Sequence, residues 1–147
     1  LGVRDLSPCQ NGGLQYPFLS EKILPIDEGT IYFNDDRLAL RGWSNPEKSF
    51  IWSLGNQSEI SFSATKQNIA IKPKINLDSF GNQHVDIYIN NSLAYSGEIS
   101  GSTSIELNQS FAEGHNEVRF VLPDAVAPGG GDTRVIAVAL KSIVINL

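Results

Sequence analysis

The 147-residue chain holds a single cysteine, Cys9, which excludes an internal disulfide. Histidine is almost as scarce, and His84 and His115 beside one cysteine are too few for a zinc set of Cys and His ligands. No metal and no cofactor is expected. Cations are outnumbered too: 11 Lys and Arg face 16 Asp and Glu, for a formal net charge of -5. They are scattered singly, whereas a phosphate-backbone binder clusters them to displace counterions, so nucleic acid is excluded as a partner. No run approaches the roughly 20 apolar residues that a membrane-spanning helix needs. No secretory signal opens the chain, which begins Leu1-Gly2-Val3 rather than on Met. A fragment of a longer protein is expected.

Helical periodicity is missing as well. No stretch of a dozen residues carries apolar side chains at helical spacing, whereas alternation is common. Ile60, Phe62 and Ala64 alternate with polar residues, as do Ile69 and Ile71, then Val85, Ile87 and Ile89, and finally Val118, Phe120 and Leu122. A period of two sends one strand face to a core and the other to solvent. From Val135 the last run is apolar on both faces up to Leu140, which predicts a central strand covered on both sides. With 41% hydrophobic and 18% charged residues, the chain suits one folded domain. The fold class predicted is all-β, an antiparallel β-sandwich of jelly-roll type.

Turn residues divide the strands. Asn90-Asn91 predicts a tight hairpin, because Asn tolerates the left-handed conformation such turns require. Gly97 and Gly101 predict a reversal, with Ser102 to Leu107 as the next strand. Asn108 to Gly114 reads as a loop, and Pro123 to Asp132 as a long flexible connection at one end of the sandwich. Residues 1–29, with Pro8, Gly12, Gly13, Pro17 and Pro25, read as an extended lead-in, and 30–147 as the sandwich domain. No repeat or second domain is evident.

Chemistry concentrates between Arg41 and Ser53. This run holds both tryptophans, Trp43 and Trp52, around the Asn45-Pro46 turn, together with Glu47. An indole face packs against the C–H face of a pyranose, and a carboxylate accepts sugar hydroxyl hydrogen bonds. Trp43 and Glu47 are the expected ligand contacts, with Trp52 as support beneath them. The competing reading is that both indoles plug the core and Glu47 pairs with an arginine.

A second group is Gly129-Gly130-Gly131-Asp132-Thr133-Arg134. A phosphate cradle wants a helix behind its glycines, and a strand follows here, so the nucleotide reading fails. The structural reading is an Asp132–Arg134 pair, two residues apart on one strand face, that pins the loop. A cation held by Asp124 and Asp132 is the minority reading.

Catalysis finds no footing. Neither histidine lies in a nucleophile motif; His84 reads as a solvated residue at a strand start and His115 as a turn residue. Glu47, Asp35, Asp36, Glu59 and Asp132 offer carboxylates for glycoside hydrolysis, but spacing selects no pair among them. Asn-X-Ser sequons stand at Asn56, Asn90 and Asn108, against roughly one or two expected by chance in so Asn- and Ser-rich a chain, so they do not establish glycosylation.

Several of these residues also carry a family resemblance. Gly42-Trp43, Glu47, Trp52-Ser53-Leu54-Gly55 and Ile60-Ser61-Phe62 resemble the opening of a C-terminal β-sandwich domain of bacterial polytopic membrane glycosyltransferases and phosphoglycerol transferases. Val85 to Asn90 is similar to that family's alternating strand ending on Asn. Asn116 to Phe120, Pro123-Asp124-Ala125 and Asp132 to Leu140 are similar to its closing pattern. The likeness covers about Tyr32 to Leu147 and departs in the Pro128 to Gly131 loop.

The resemblance implies a non-catalytic accessory domain, periplasmic or otherwise extracytoplasmic, tethered to the inner membrane through a preceding portion. Its expected partners are a glycan or lipid-linked sugar and the membrane portion of the parent protein. A ligand-free docking domain and a small glycan hydrolase are the alternatives.

Overall fold

In the computed structural model, residues 23–24, 30–64 and 72–145 are described, and no helix occurs among them. Nine strands follow in chain order: β1 (Ile23–Leu24), β2 (Thr30–Tyr32), β3 (Ala39–Arg41), β4 (Ile51–Trp52), β5 (Gln57–Ala64), β6 (Lys74–Ile89), β7 (Ser92–Glu106), β8 (Gly114–Val121) and β9 (Val138–Val144). The lead-in over 1–29, apart from the short β1, lies outside the described residues, as do Cys9 and the Ile69/Ile71 alternation. β1 runs parallel to β5, and the other named strand pairs are antiparallel.

The hairpin of β6 and β7 organises the sandwich. Its two-residue turn is Asn90-Asn91, with φ of 50° and 70°. Positive φ at both central residues gives the turn whose twist matches its flanking strands. β7 follows one edge of β6 along its length. The opposite edge is shared: Lys74 to Ser79 pair with β9, and Asp86 to Ile89 pair with β8. Because β8 and β9 take different stretches of one edge, the sheet divides into two layers. The first comprises β2 and β4 beside β9, then the early half of β6 and the late half of β7. The second comprises β1 and β3 beside β5, then β8, the late half of β6 and the early half of β7.

A corner therefore falls in mid-hairpin, where pairing breaks between Asp78 and Asn82. Gly81 and Gly101 have φ of 67° and 75° there, a region that side-chain-bearing residues enter only at a cost. This corrects the reversal expected at Gly97 and Gly101. Ser102 to Glu106 continue β7, because β6 bends alongside it and keeps it paired through the corner.

Between the layers lie the inward residues of each alternation. Phe62, Phe120, Ile60, Ile75, Leu77, Ile87 and Leu140 are fully buried. Each such aliphatic or aromatic side chain contributes roughly 1.5–3 kcal/mol of transfer free energy. β9 is central, and Ile136 to Leu140 are all buried, although the strand begins at Val138 rather than at Val135, which is exposed.

Candidate functional site

Ser53 fixes which way each tryptophan points. It is fully buried, and its Oγ accepts the backbone N–H groups of Ala137 and Val138, both at 3.0 Å. Trp43 forms a bridge with Ser53, so the two side chains share a face. Trp52 is one residue from Ser53 and takes the opposite face. Trp43 accordingly packs against the core, edge-on to Phe120 with centroids 5.5 Å apart, and its indole N–H donates to the Glu59 carbonyl at 2.9 Å. Trp52 meets Phe50 at 5.5 Å and Phe80 at 6.5 Å, both nearly perpendicular. These three rings form a cluster outside the core.

Glu47 is held in place by its backbone. Its N–H bonds the Phe50 carbonyl at 2.8 Å, closing the turn that leads into β4. The expected roles of the two tryptophans are thus exchanged: Trp43, the expected contact, packs against the core, and Trp52, the expected support, lies outside it, while the Glu47 carboxylate lies toward Arg134.

Asp132 and Arg134 form a close pair, but in a turn ahead of β9 rather than on a strand face. The Arg134 backbone N–H and Nε each donate to Asp132 Oδ1 at 3.0 Å, and Nη2 reaches Oδ2 at 2.7 Å. A carboxylate that bonds the backbone two residues on makes its own turn, which the spacing alone did not distinguish from a strand pair. These bonds hold the Asp132 carboxyl down to about 2. Arg134 Nη1 also lies 3.8 Å from Glu47 Oε2. The connection expected to be flexible is tied twice across itself, by bridges between Val126 and Ile136 and between Gly129 and Asp132.

The same device recurs at Asp35 and Arg37, where the backbone N–H and Nε donate at 2.9 Å and Nη2 at 2.6 Å. Asp124 accepts the His84 N–H at 2.9 Å. Among the described residues, no group of three His, Cys, Asp or Glu is arranged to hold a metal ion.

His84 lies within β6 rather than at a strand start. Its Nδ1 is 2.9 Å from Glu98 Oε2, and its Nε2 is 2.9 Å from Asp86 Oδ1. These bonds, Glu98's first, raise the imidazole above its usual range. Ser96 donates its hydroxyl to Asp86 rather than to His84, so serine, histidine and acid do not form a nucleophile chain. His115 pairs with Ser63 within β8 rather than occupying a turn.

The outer face of the first layer holds polar residues that sequence reasoning missed. Ile75 and Leu77 point into the core, so Asn76 and Asp78 point away from it. Register then sets two rows across the strands: Tyr32, Ser142, Asn76 and Ser104; and Trp52, Ala139, Asp78 and Ser102. Asn76 Nδ2 donates to Ser142 Oγ at 2.9 Å. Asp78 Oδ1 accepts from Ser102 Oγ at 2.6 Å and pairs with Lys141 Nζ at 3.0 Å. Those partners, Ser102 foremost, hold the Asp78 carboxyl below its ordinary range.

A cleft of about 360 Å3 opens there, lined by Asn76, Leu77, Ser102, Thr103, Ser104 and Lys141. An amide, several hydroxyls and a neutralised ion pair therefore adjoin an aromatic cluster. Such groups can hydrogen-bond hydroxyls and pack against apolar C–H faces.

No protein-family model matches the chain, and no curated protein matches it in sequence. Solved structures do match in shape. A carbohydrate-binding module of family CBM36, solved with calcium and xylotriose, superposes with a TM-score of 0.51 at 16% identity, over 78% of this chain and 96% of that one. A family 35 carbohydrate-binding module from Clostridium thermocellum gives 0.50 at 9% identity, over 79% and 98%. The acetyl xylan esterase Est2A from Butyrivibrio proteoclasticus gives 0.52 at 13% identity, over 79% of this chain but 31% of the esterase. The chain shares their β-sandwich fold. At these identities the likeness extends to architecture, and fold alone leaves function to the site.

Proposed function

We propose that this domain is a glycan-binding module that does not break the bonds of its ligand, and that its site is the outer face of the first layer. The observation that carries the reading is the cluster of Phe50, Trp52 and Phe80, placed outside the core beside Asp78 and the hydroxyl-lined cleft. Ring faces suit the C–H faces of a sugar, while Asn76, Ser104 and Lys141 offer hydrogen bonds to its hydroxyls. Glu47 stands in the turn before β4, where its backbone bonds Phe50, and Trp43 supports the ribbon from within. The fold shared with carbohydrate-binding modules supports this assignment.

The resemblance over residues 32–147 supports a setting for it. In this reading the domain works on the extracytoplasmic side of a membrane and is carried by a glycosyltransferase-type enzyme. It presents a surface glycan or lipid-linked sugar to the membrane portion. A docking role has less support, because the exposed large apolar side chains among the described residues are dispersed. Tyr32, Leu40 and Leu93 belong to three strands, and Val126 and Val135 to one loop.

Titration calorimetry of the purified chain against a panel of neutral and acidic oligosaccharides tests the reading. Weak, saturable binding is expected, since a few rings and exposed hydrogen bonds must offset lost ligand freedom. Trp52→Ala should weaken it roughly tenfold or more, about 1.4 kcal/mol. Flat isotherms across the whole panel would overturn the assignment.

A further inference from the structure

Two aromatic residues border β9 on the outer face, Trp52 opposite Ala139 and Tyr32 opposite Ser142. A bulge at Lys141 lets three residues of β9 span two of β6, Asn76 and Asp78, so the positions lie roughly 7 Å apart along the strand. Tyr32 is 60% exposed between buried Ile31 and Phe33, so core packing does not account for its ring. Beside them runs a strip formed by Ser142 and Lys141 on β9 and, across β9 from the rings, Asn76 and Asp78 on β6. Its only charges are the Lys141 ammonium and the Asp78 carboxylate, which neutralise each other at 3.0 Å. An acidic sugar laid there meets Asp78 and a chain of net charge -5, and a cationic sugar must compete with Asp78 for Lys141 or lie against it.

We infer that the ligand is an uncharged, extended glycan lying along β9, with one sugar on Tyr32 and another, further along the chain, on Trp52. This rests on the glycan-binding reading above and adds its charge, its direction and a second stacking residue. Lys141 on β9 and Asn76 across it on β6 would bond hydroxyls along the ligand's flank.

The experiment is a set of calorimetric titrations on the full chain and its Tyr32→Ala, Tyr32→Phe and Trp52→Ala variants. The probes are cellohexaose, xylohexaose and mannohexaose, their disaccharides, hexagalacturonic acid and hexaglucosamine. At least one neutral hexasaccharide should bind, and its disaccharide should bind more weakly. Tyr32→Ala and Trp52→Ala should each lower affinity roughly tenfold, whereas Tyr32→Phe keeps the ring and retains it. Because Tyr32 is exposed, its variants should fold normally, which circular dichroism checks.

Wild-type affinity in Tyr32→Ala, with loss in Trp52→Ala, would overturn the two-ring arrangement and leave glycan binding standing. Tighter binding of either charged hexasaccharide would overturn the uncharged assignment alone. Binding of none of the probes would remove the present inference together with the reading beneath it.

Discussion

Ser53 and Asn116 are small polar side chains, fully buried, and each satisfies several backbone groups. Asn116 Oδ1 accepts the Ala112 N–H at 2.7 Å and the Asn90 side-chain amide at 3.1 Å, while its Nδ2 donates to the Ala112 carbonyl at 2.8 Å. Removing such a partner leaves buried groups unpaired, at roughly 1–3 kcal/mol each. His84 carries a pH signature of its own. Its folded value is raised above the ordinary 6.5 by Glu98 and Asp86. Its contribution to stability is therefore full below 6.5 and lost as pH rises through the raised value. NMR titration of His84 should give a midpoint above 6.5, which Glu98→Gln lowers, and His84→Gln should flatten the fall in thermal stability over that range. A midpoint at or below 6.5 in the wild type would contradict the clamp.

Among the elements, the bent hairpin does most to position the site. Gly101 sits at the corner with open space where a Cβ would be, so Gly101→Ala should cost only the left-handed backbone strain, roughly 1–2 kcal/mol. Gly42, beside Trp43, has φ of 80° and would place a Cβ 2.8 Å from the Gln57 carbonyl oxygen. Gly42→Ala should therefore destabilise clearly more than Gly101→Ala in urea denaturation. Equal losses would mean that the Gln57 backbone yields freely.

Much of this element level was legible. The alternations around Phe62, Ile87 and Phe120 were readable because a buried face enforces a period of two, and Asn90-Asn91 because few residues accept that turn. The Gly97 to Gly101 segment was misread as a reversal. Glycine marks a bend and a turn alike, and only the matching bend in β6 decides between them. At the site, Trp52 and Glu47 stood out by residue type. The face each tryptophan takes depends on pairing with Ser53, which leaves no local trace. Asn76, Asp78 and Ser102 were invisible because polar residues facing outward are what any exposed strand shows.

At the scale of the molecule, two layers joined by one hairpin give a rigid face whose register holds aromatic and polar groups in fixed rows. Binding on such a face spends little free energy on ordering the protein, and the shallow cleft limits how tightly it holds. The central claim is that glycan lies on the first layer's outer face. The most direct measurement is the change in amide and indole resonances of 15N-labelled protein on addition of the tightest-binding neutral hexasaccharide. Changes should gather at Tyr32, Asn76, Asp78, Ser102, Lys141 and the Trp52 indole, leaving the Trp43 indole in place. Changes centred on the Trp43 indole, or on His84 and Glu98 across the second layer, would contradict it.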